Sequence, residues 1–396
     1  MSVIVTNAKS RVAYNVVRSL GAKNLEVYTS DFVRWSMSFY SRYSKDHFLY
    51  PSPFTHPKQF IGSIIMNADR LKADVVIPVH EETFLMAKFK DELLSVIKCV
   101  LPDYTGILAV HNKDRWIGIA QELNVPFPKT YHLDQLRMQG GLTNVRFPVL
   151  IKPKQGGGGW AISQINSPHE LSALLERDSY IGLPWERFYV QEKIDGEIHC
   201  VAMLFSLGRV RGKVTYKQIR EYPSSGGQAT MRISLRNEAA EESLERILHH
   251  LNWHGVCQAD FVVDSNTGVS YLIDLNPRLW GSLAQGVASG VDFPYLLYKI
   301  ALDGDVEPVC EFKTGVVTQW FGGDFRSFLS LLRLSNSRLD LVKRFVVSSR
   351  TAVFYDDICL KDPIPFCAWI GDVLYRSLKQ GSMSPSVHES LDGIWE

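Results

Sequence analysis

Two aspartates fourteen positions apart, Asp260 and Asp274, bracket a turn rich in Asn and Gly, with Asn276 and Arg278 just beyond. Residues 258–263 and 269–276 read as strands around Asp264-Ser265-Asn266-Thr267-Gly268, which predicts an antiparallel hairpin. Centred on Thr267, the hairpin pairs positions whose numbers sum to 534, so Asp260 faces Asp274 and Gln258 faces Asn276. The two-residue strand period puts Asp260, Asp274, Asn276 and Arg278 on one face and Phe261, Val263, Ile273 and Leu275 on the other. Opposed Cβ atoms lie roughly 5 Å apart, and like charges there destabilise the pair. A cation resolves the conflict. Hard oxygen donors at this spacing suit Mg²⁺, or Mn²⁺ in its place, with nucleotide phosphates completing the shell. The bland alternative is a solvent-facing sheet with incidental acids.

A second group has the chemistry of anion binding. The strand Phe147–Ile151 delivers Lys152, and Pro153-Lys154-Gln155 leads into Gly156-Gly157-Gly158-Gly159. Such a run lets backbone N–H groups fold over an anion while the lysine supplies a point charge. It is not a Walker A loop, because no GK[ST] follows and the next element is a strand. A third group, Gln191-Glu192-Lys193-Ile194, ends another strand before Asp195-Gly196 and Glu197. It reads either as a turn with exposed acids or as a hinge whose backbone meets an adenine edge. Lys213 to Gln228 is basic, aromatic and glycine-containing, and Arg220 in it is the preferred carboxylate clamp, since guanidinium matches carboxylate bidentately. Gly281-Ser282 would line an acceptor pocket. His80, His199 and His254 read as packing residues.

These groups need a scaffold. Residues 1–110 alternate β-branched runs (Val3–Val5, Leu25–Tyr28, Ala73–Pro78) with amphipathic stretches, which predicts a Rossmann-like parallel sheet. Gly21 is placed to cap the first helix. The first turn, Thr6 to Ser10, lacks GxGxxG, so NAD binding has no support. Glu81-Glu82-Thr83 follows a strand end, as a ligand site or as a solvated helix start. After Asn112 a helix, the Pro126-Phe127-Pro128 linker and a strand-rich stretch follow, with two amphipathic segments near Phe325–Leu332 and Phe366–Leu378. The Phe325, Phe328, Leu329, Leu332 stripe reads as core or dimer surface. With 43 Lys plus Arg against 42 Asp plus Glu in 396 residues, net charge argues against a nucleic-acid binder. No apolar run nears the ~20 residues of a membrane span. The six scattered cysteines and the strand-like start lead to the expectation of a cytoplasmic protein.

The order of these pieces resembles the ATP-grasp superfamily, and within it the carboxylate–amine ligase branch with a carbamoyl-phosphate-synthase-like ATP-grasp domain. The resemblance covers about residues 1–310. It implies an α/β fold: a Rossmann-like pre-ATP-grasp domain (1–110), an ATP-grasp domain of two α+β subdomains clamping ATP (111–310, hinge near 191–195), and a mostly helical extension (311–396). By position, Lys113 and Lys152 match the ATP-phosphate lysines, Gly156, Gly157 and Gly158 the phosphate loop, Gln191, Glu192, Lys193 and Ile194 the adenine hinge, and Glu197 the ribose acid. Asp260, Asp274 and Asn276 match the Mg²⁺ ligands, and Arg278 faces the γ-phosphate or acyl phosphate. Arg220, Arg278 and Ser282 stand as substrate residues. Asp274 departs from the pattern, in which Glu is usual. The implied chemistry is ATP-dependent activation of a carboxylate as an acyl phosphate for attack by an amine. Small-molecule substrates, no membrane and no nucleic acid follow, and a homodimer is possible. A bicarbonate-activating enzyme and a non-catalytic nucleotide-binding regulator are the alternatives.

Overall fold

In the computed structural model, which describes residues 1–133, 136, 145–154, 162–177, 179–223, 227–334, 345, 351–352 and 354–380, the first alternating segment forms a four-stranded parallel sheet. Its order is β3 (Ser44–Leu49), β2 (Glu26–Asp31), β1 (Ser2–Val5), β4 (Val75–Ile77). Both faces of β1 are covered, and the side chains alternate accordingly. Val3 and Val5 pack with Val12, Val16 and Leu20 of the helix Arg11–Gly21, whereas Ile4 packs with Phe60, Ile61 and Ile64 of the helix Pro57–Leu71. Ser10 caps the first helix by accepting from the Ala13 N–H. Gly21 does not act as the predicted cap: it lies in the last helical turn, where a Cβ would sit 2.5 Å from the Cβ of Tyr43. Close packing, not a left-handed backbone, calls for the glycine.

A small antiparallel sheet follows in the order β5 (Thr130–His132), β8 (Phe188–Glu192), β6 (Val149–Pro153), β7 (Ser163–Ile165). It keeps its own core, formed by Val149, Ile151, Leu171, Trp185, Phe188 and Val190 among others. The third sheet has seven strands, ordered β13 (Ser270–Asn276), β12 (Gly255–Asp264), β9 (Gly196–Ser206), β10 (Arg209–Tyr222), β11 (Gln228–Ser234), β14 (Val317–Gln319), β15 (Phe354–Tyr355). Its core is continuous with the first domain. Phe261, Leu272 and Leu275 share one cluster with Phe60 and Trp116, while Leu204 and Val214 share another with Val16 and Leu20. The last segment supplies the helices Phe321–Leu334 and Ile364–Gln380 and also adds β14 and β15 to this sheet. Among the described residues no helix is long and apolar enough to cross a membrane.

The hairpin register matches the prediction at its functional end and departs from it beyond. Asp260 pairs with Asp274 and Gln258 with Asn276, but Phe261 then pairs with Leu272. A bulge at Ile273 makes the shift. Leu272 therefore takes the fully buried position, and Ile273 is only half-buried.

Candidate active site

The pair Asp260–Asp274 lies at the middle of the hairpin, and β9 flanks it on the other side, with Cys200 opposite Asp260. Three polar side chains hold one carboxylate in place. Cys200 Sγ (2.9 Å) and Gln258 Nε2 (2.7 Å) both donate to Asp260 Oδ1, and Asn276 Nδ2 donates to Gln258 Oε1 at 2.9 Å. Burial and then the charge of Asp274 push the Asp260 carboxyl up to about 6, against these donors and Arg278. The electrostatic deficit at this point is what a cation would relieve.

Lysines already face it. Asn112 caps the helix Lys113–Glu122 by accepting from the N–H groups of Asp114 and Arg115, which fixes Lys113 at the first position. Its ammonium lies 3.4 Å from Asp274 Oδ1. Lys152 leaves β6 as a buried side chain and donates to Gln191 Oε1 of β8 at 2.8 Å. Burial lowers it to about 8, while Asp274 and Asp260 oppose that shift and Lys113 adds to it. Lys113, Lys152, Asp260 and Asp274, drawn from one helix and three strands, thus act on one another electrostatically. Lys154, two residues on, is paired with Asp114 at 3.0 Å. Gly156, Gly157 and Gly158 lie outside the described residues.

At the predicted hinge, Glu192 accepts from the Tyr131 hydroxyl (2.7 Å) and from the Arg146 N–H (3.3 Å). The Lys193 N–H donates to the Pro148 carbonyl at 3.0 Å, and the Lys193 ammonium lies 3.7 Å from Asp195. That N–H is therefore committed to the chain itself, and an adenine edge would be met by other backbone groups, those of Ile194 included. Glu197 accepts from Lys217 at 3.0 Å and lies 3.8 Å from His199.

Two substrate expectations change. Arg220 is not placed as a clamp for a foreign carboxylate, because the molecule supplies its own: Asp324, buried in the helix Phe321–Leu334, takes the Arg220 Nε at 2.8 Å and a terminal nitrogen as well. Asp324 lies 104 residues downstream, a pairing that local pattern does not reveal. Ser282 is buried and in hydrogen-bonding contact with Tyr216, which in turn contacts Cys200, so it joins the network behind Asp260 instead of lining an acceptor pocket. Arg278 lies 3.5 Å from Glu81, at the end of β4 in the first domain. Sequence reasoning passed over Cys200. Read as one of six scattered cysteines, it carried no local signal that tied it to the hairpin.

Among the described residues no group of three or more His, Cys, Asp or Glu side chains gathers as a metal site. The donor set at the hairpin is two carboxylates and an amide, all oxygen donors. It fits a hard cation that draws its remaining ligands from phosphate, and it does not fit a soft metal. Residues 110–282 match the family described as the ATP-grasp domain. The chain contains an ATP-grasp domain. Lys113, Lys152, Asp260, Asp274, Asn276 and Arg278 all fall within that match. A curated D-alanine–D-alanine ligase of Kocuria rhizophila is 25% identical over 197 residues, covering 43% of this chain and 49% of the relative. The chain thus spans about half the length of the curated relative it matches. Solved structures share the fold. Biotin carboxylase of Campylobacter jejuni aligns with TM-score 0.63 and 17% identity over 80% of this chain and 74% of its own. L-amino acid ligase of Bacillus licheniformis aligns with TM-score 0.58 and 16% identity over 77% and 75%.

Proposed function

We propose that the ATP-grasp domain of this chain drives an ADP-forming ligase reaction, in which a carboxylate is phosphorylated by ATP and the acyl phosphate is attacked by an amine. The observation that carries this reading is the convergence of Lys113 and Lys152 on the Asp260–Asp274 pair. A carboxylate is a poor electrophile with a poor leaving group, and phosphorylation remedies both. Asp260, Asp274 and Asn276 would hold Mg²⁺, which when bound supplies positive charge to the phosphate oxygens. Lys113 and Lys152 bind the transferring phosphates, and Lys152, at about 8, stays cationic at neutral pH. Arg278 neutralises charge developing on the transferred group. The backbone and acids of Gln191 to Ile194, with Glu197, hold the nucleoside. The small sheet, having a core of its own, can close over ATP and keep water from the acyl phosphate. The likeness to an L-amino acid ligase and a D-alanine–D-alanine ligase favours an amino acid or peptide-like carboxylate and amine.

The test is ADP release with Mg·ATP against pools of carboxylates and amines. Release that requires one member of each pool is the expected result. Release with bicarbonate alone would move the assignment to bicarbonate activation, which the biotin carboxylase likeness keeps as the second reading. Tight ATP binding with no release under any pairing would overturn both in favour of a nucleotide-binding regulator.

A further inference from the structure

With Arg220 committed to Asp324, substrate recognition needs another cation, and the first domain holds one. Arg11 opens its helix after β1, the strand that lies between β2 and β4. The carboxyl ends of strands at such a reversal of order leave a crevice in open α/β sheets. The guanidinium of Arg11 lies 3.7 Å from the ring centroid of Trp320, and its Nη2 donates to Gln228 Oε1 at 3.0 Å. Its Nε lies 3.4 Å from Asp356 Oδ2, yet these two buried atoms have no hydrogen-bond partner. Asp356 is instead tied to the fully buried Arg232. Arg11 is thus held from behind at Nε by the charge of Asp356, and its Nη2, which meets Gln228, faces Gly281.

It also points toward the ATP-grasp site. Arg11 Nη2 lies 3.0 Å from where a Cβ on Gly281 would sit, three residues past Arg278. His80, just past β4, is lowered to about 3 by burial and then by the charges of Arg278, Arg11 and Lys9, while Glu81 opposes the shift. The strand ends of the first domain and the segment after β13 therefore form one charged crevice.

We propose that Arg11 binds the carboxylate of an α-amino acid substrate in this crevice, and that Gly281 lacks a side chain so that the carboxylate can reach it. The proposal rests on the ligase reading for its substrate class. Its test reads binding and not turnover, so the two can fail separately. The full chain, loaded with a non-hydrolysable Mg·ATP analogue, is titrated calorimetrically with a panel of L-amino acids and with the same amino acids as C-terminal amides. Wild type should bind at least one acid about tenfold more tightly than its amide, the discrimination expected of a charge-assisted pair. Arg11→Gln should abolish that preference and leave analogue affinity unchanged. Gly281→Ala, whose Cβ falls 3.0 Å from Arg11 Nη2 and in the path of the carboxylate, should weaken acid binding about fivefold or more by blocking the approach. If Arg11→Gln fails to fold, Gly281→Ala decides. Wild type that binds no acid in preference to its amide overturns the proposal. So does retention of the preference in Arg11→Gln, or wild-type acid affinity in Gly281→Ala.

Discussion

Among the carboxyl groups that burial lifts toward neutral pH, Asp260 and Glu82 have opposite surroundings. Asp260, in the seven-stranded sheet, is pushed up to about 6 in the company of a second acid, two lysines and Arg278. Glu82, in the first domain, is pushed up to about 7 and is fully enclosed. Its Oε1 accepts from Asn7 Nδ2 (2.9 Å) and the Tyr50 hydroxyl (3.0 Å), its Oε2 has no partner, and Asp31 and Glu81 add further negative charge. Glu82 starts the helix Glu82–Lys88, whose positive end partly offsets its burial. Desolvation alone therefore does not mark a functional acid. Asp260 differs because its charge deficit faces groups that a triphosphate and a cation would complete, whereas Glu82 resolves its own by keeping a proton.

The largest effect should separate the two by charge removal. Asp260→Asn should lower ADP release by about a thousandfold or more if the proposed reaction holds, since it removes a charge that would hold the metal there. Its thermal midpoint should stay at or above that of wild type, because an uncompensated buried charge is lost. Glu82→Gln should leave turnover nearly unchanged. Paired assays of turnover and melting check both, and a Glu82→Gln loss as deep as that of Asp260→Asn would erase the distinction.

Next is the pH dependence of stability. The folded-state value of Glu82 lies above its unfolded one, so the folded protein binds that proton more tightly. Its contribution is fully present below about pH 4.5 and is lost as pH rises to about 7. The span corresponds to about 3 kcal/mol in wild type. Denaturant unfolding across that window should show the slope, and Glu82→Gln should flatten it. An unchanged slope in the variant would assign the titration to another group.

The cationic side of the comparison can be removed as well. Lys152→Met leaves Asp260 with fewer positive neighbours, closer to the situation of Glu82, and under the proposed reaction would take away a phosphate contact. The KM for ATP should rise tenfold to a hundredfold, the range of a lost charged hydrogen bond of about 1.5–3 kcal/mol. Steady-state kinetics at saturating Mg²⁺ measures it.

The two regions were not equally legible in the sequence. The facing of Asp260 and Asp274 follows from strand period and turn length alone, both local quantities, and the observed register agrees. The bulge at Ile273 was invisible, because it answers the demand of the shared core for Leu272, a tertiary matter. The enclosure of Glu82 was equally hidden: Glu81-Glu82-Thr83 read as a ligand site or as a solvated helix start, and only Tyr50 and Asn7, 32 and 75 positions away, make it a buried acid. Arg220 was misplaced for the same reason. Its type and setting suggested a clamp, but the carboxylate it binds belongs to a helix that local pattern could not dock. The edge strands β14 and β15 are so short that periodicity has nothing to act on.

The smallest effect tests whether Asp260 is positioned or merely surrounded. Cys200 donates to Asp260 Oδ1, and burial and then the neighbouring Asp260 raise its thiol well above the ordinary range, so it remains a protonated donor. Cys200→Ala removes that donor and leaves Gln258 as the neighbour holding the same oxygen, a loss of about 1 kcal/mol or a few-fold in kcat. Cys200→Ser keeps an O–H in nearly the same volume and should retain most of the activity. The ratio between the two variants is the informative number, because both remove the sulfur and only one loses the donor. Equal kcat in Ser and Ala would mean that the sulfur only fills space, and the contrast with Glu82, whose carboxyl is likewise tied down by donors, would narrow to the lysines alone.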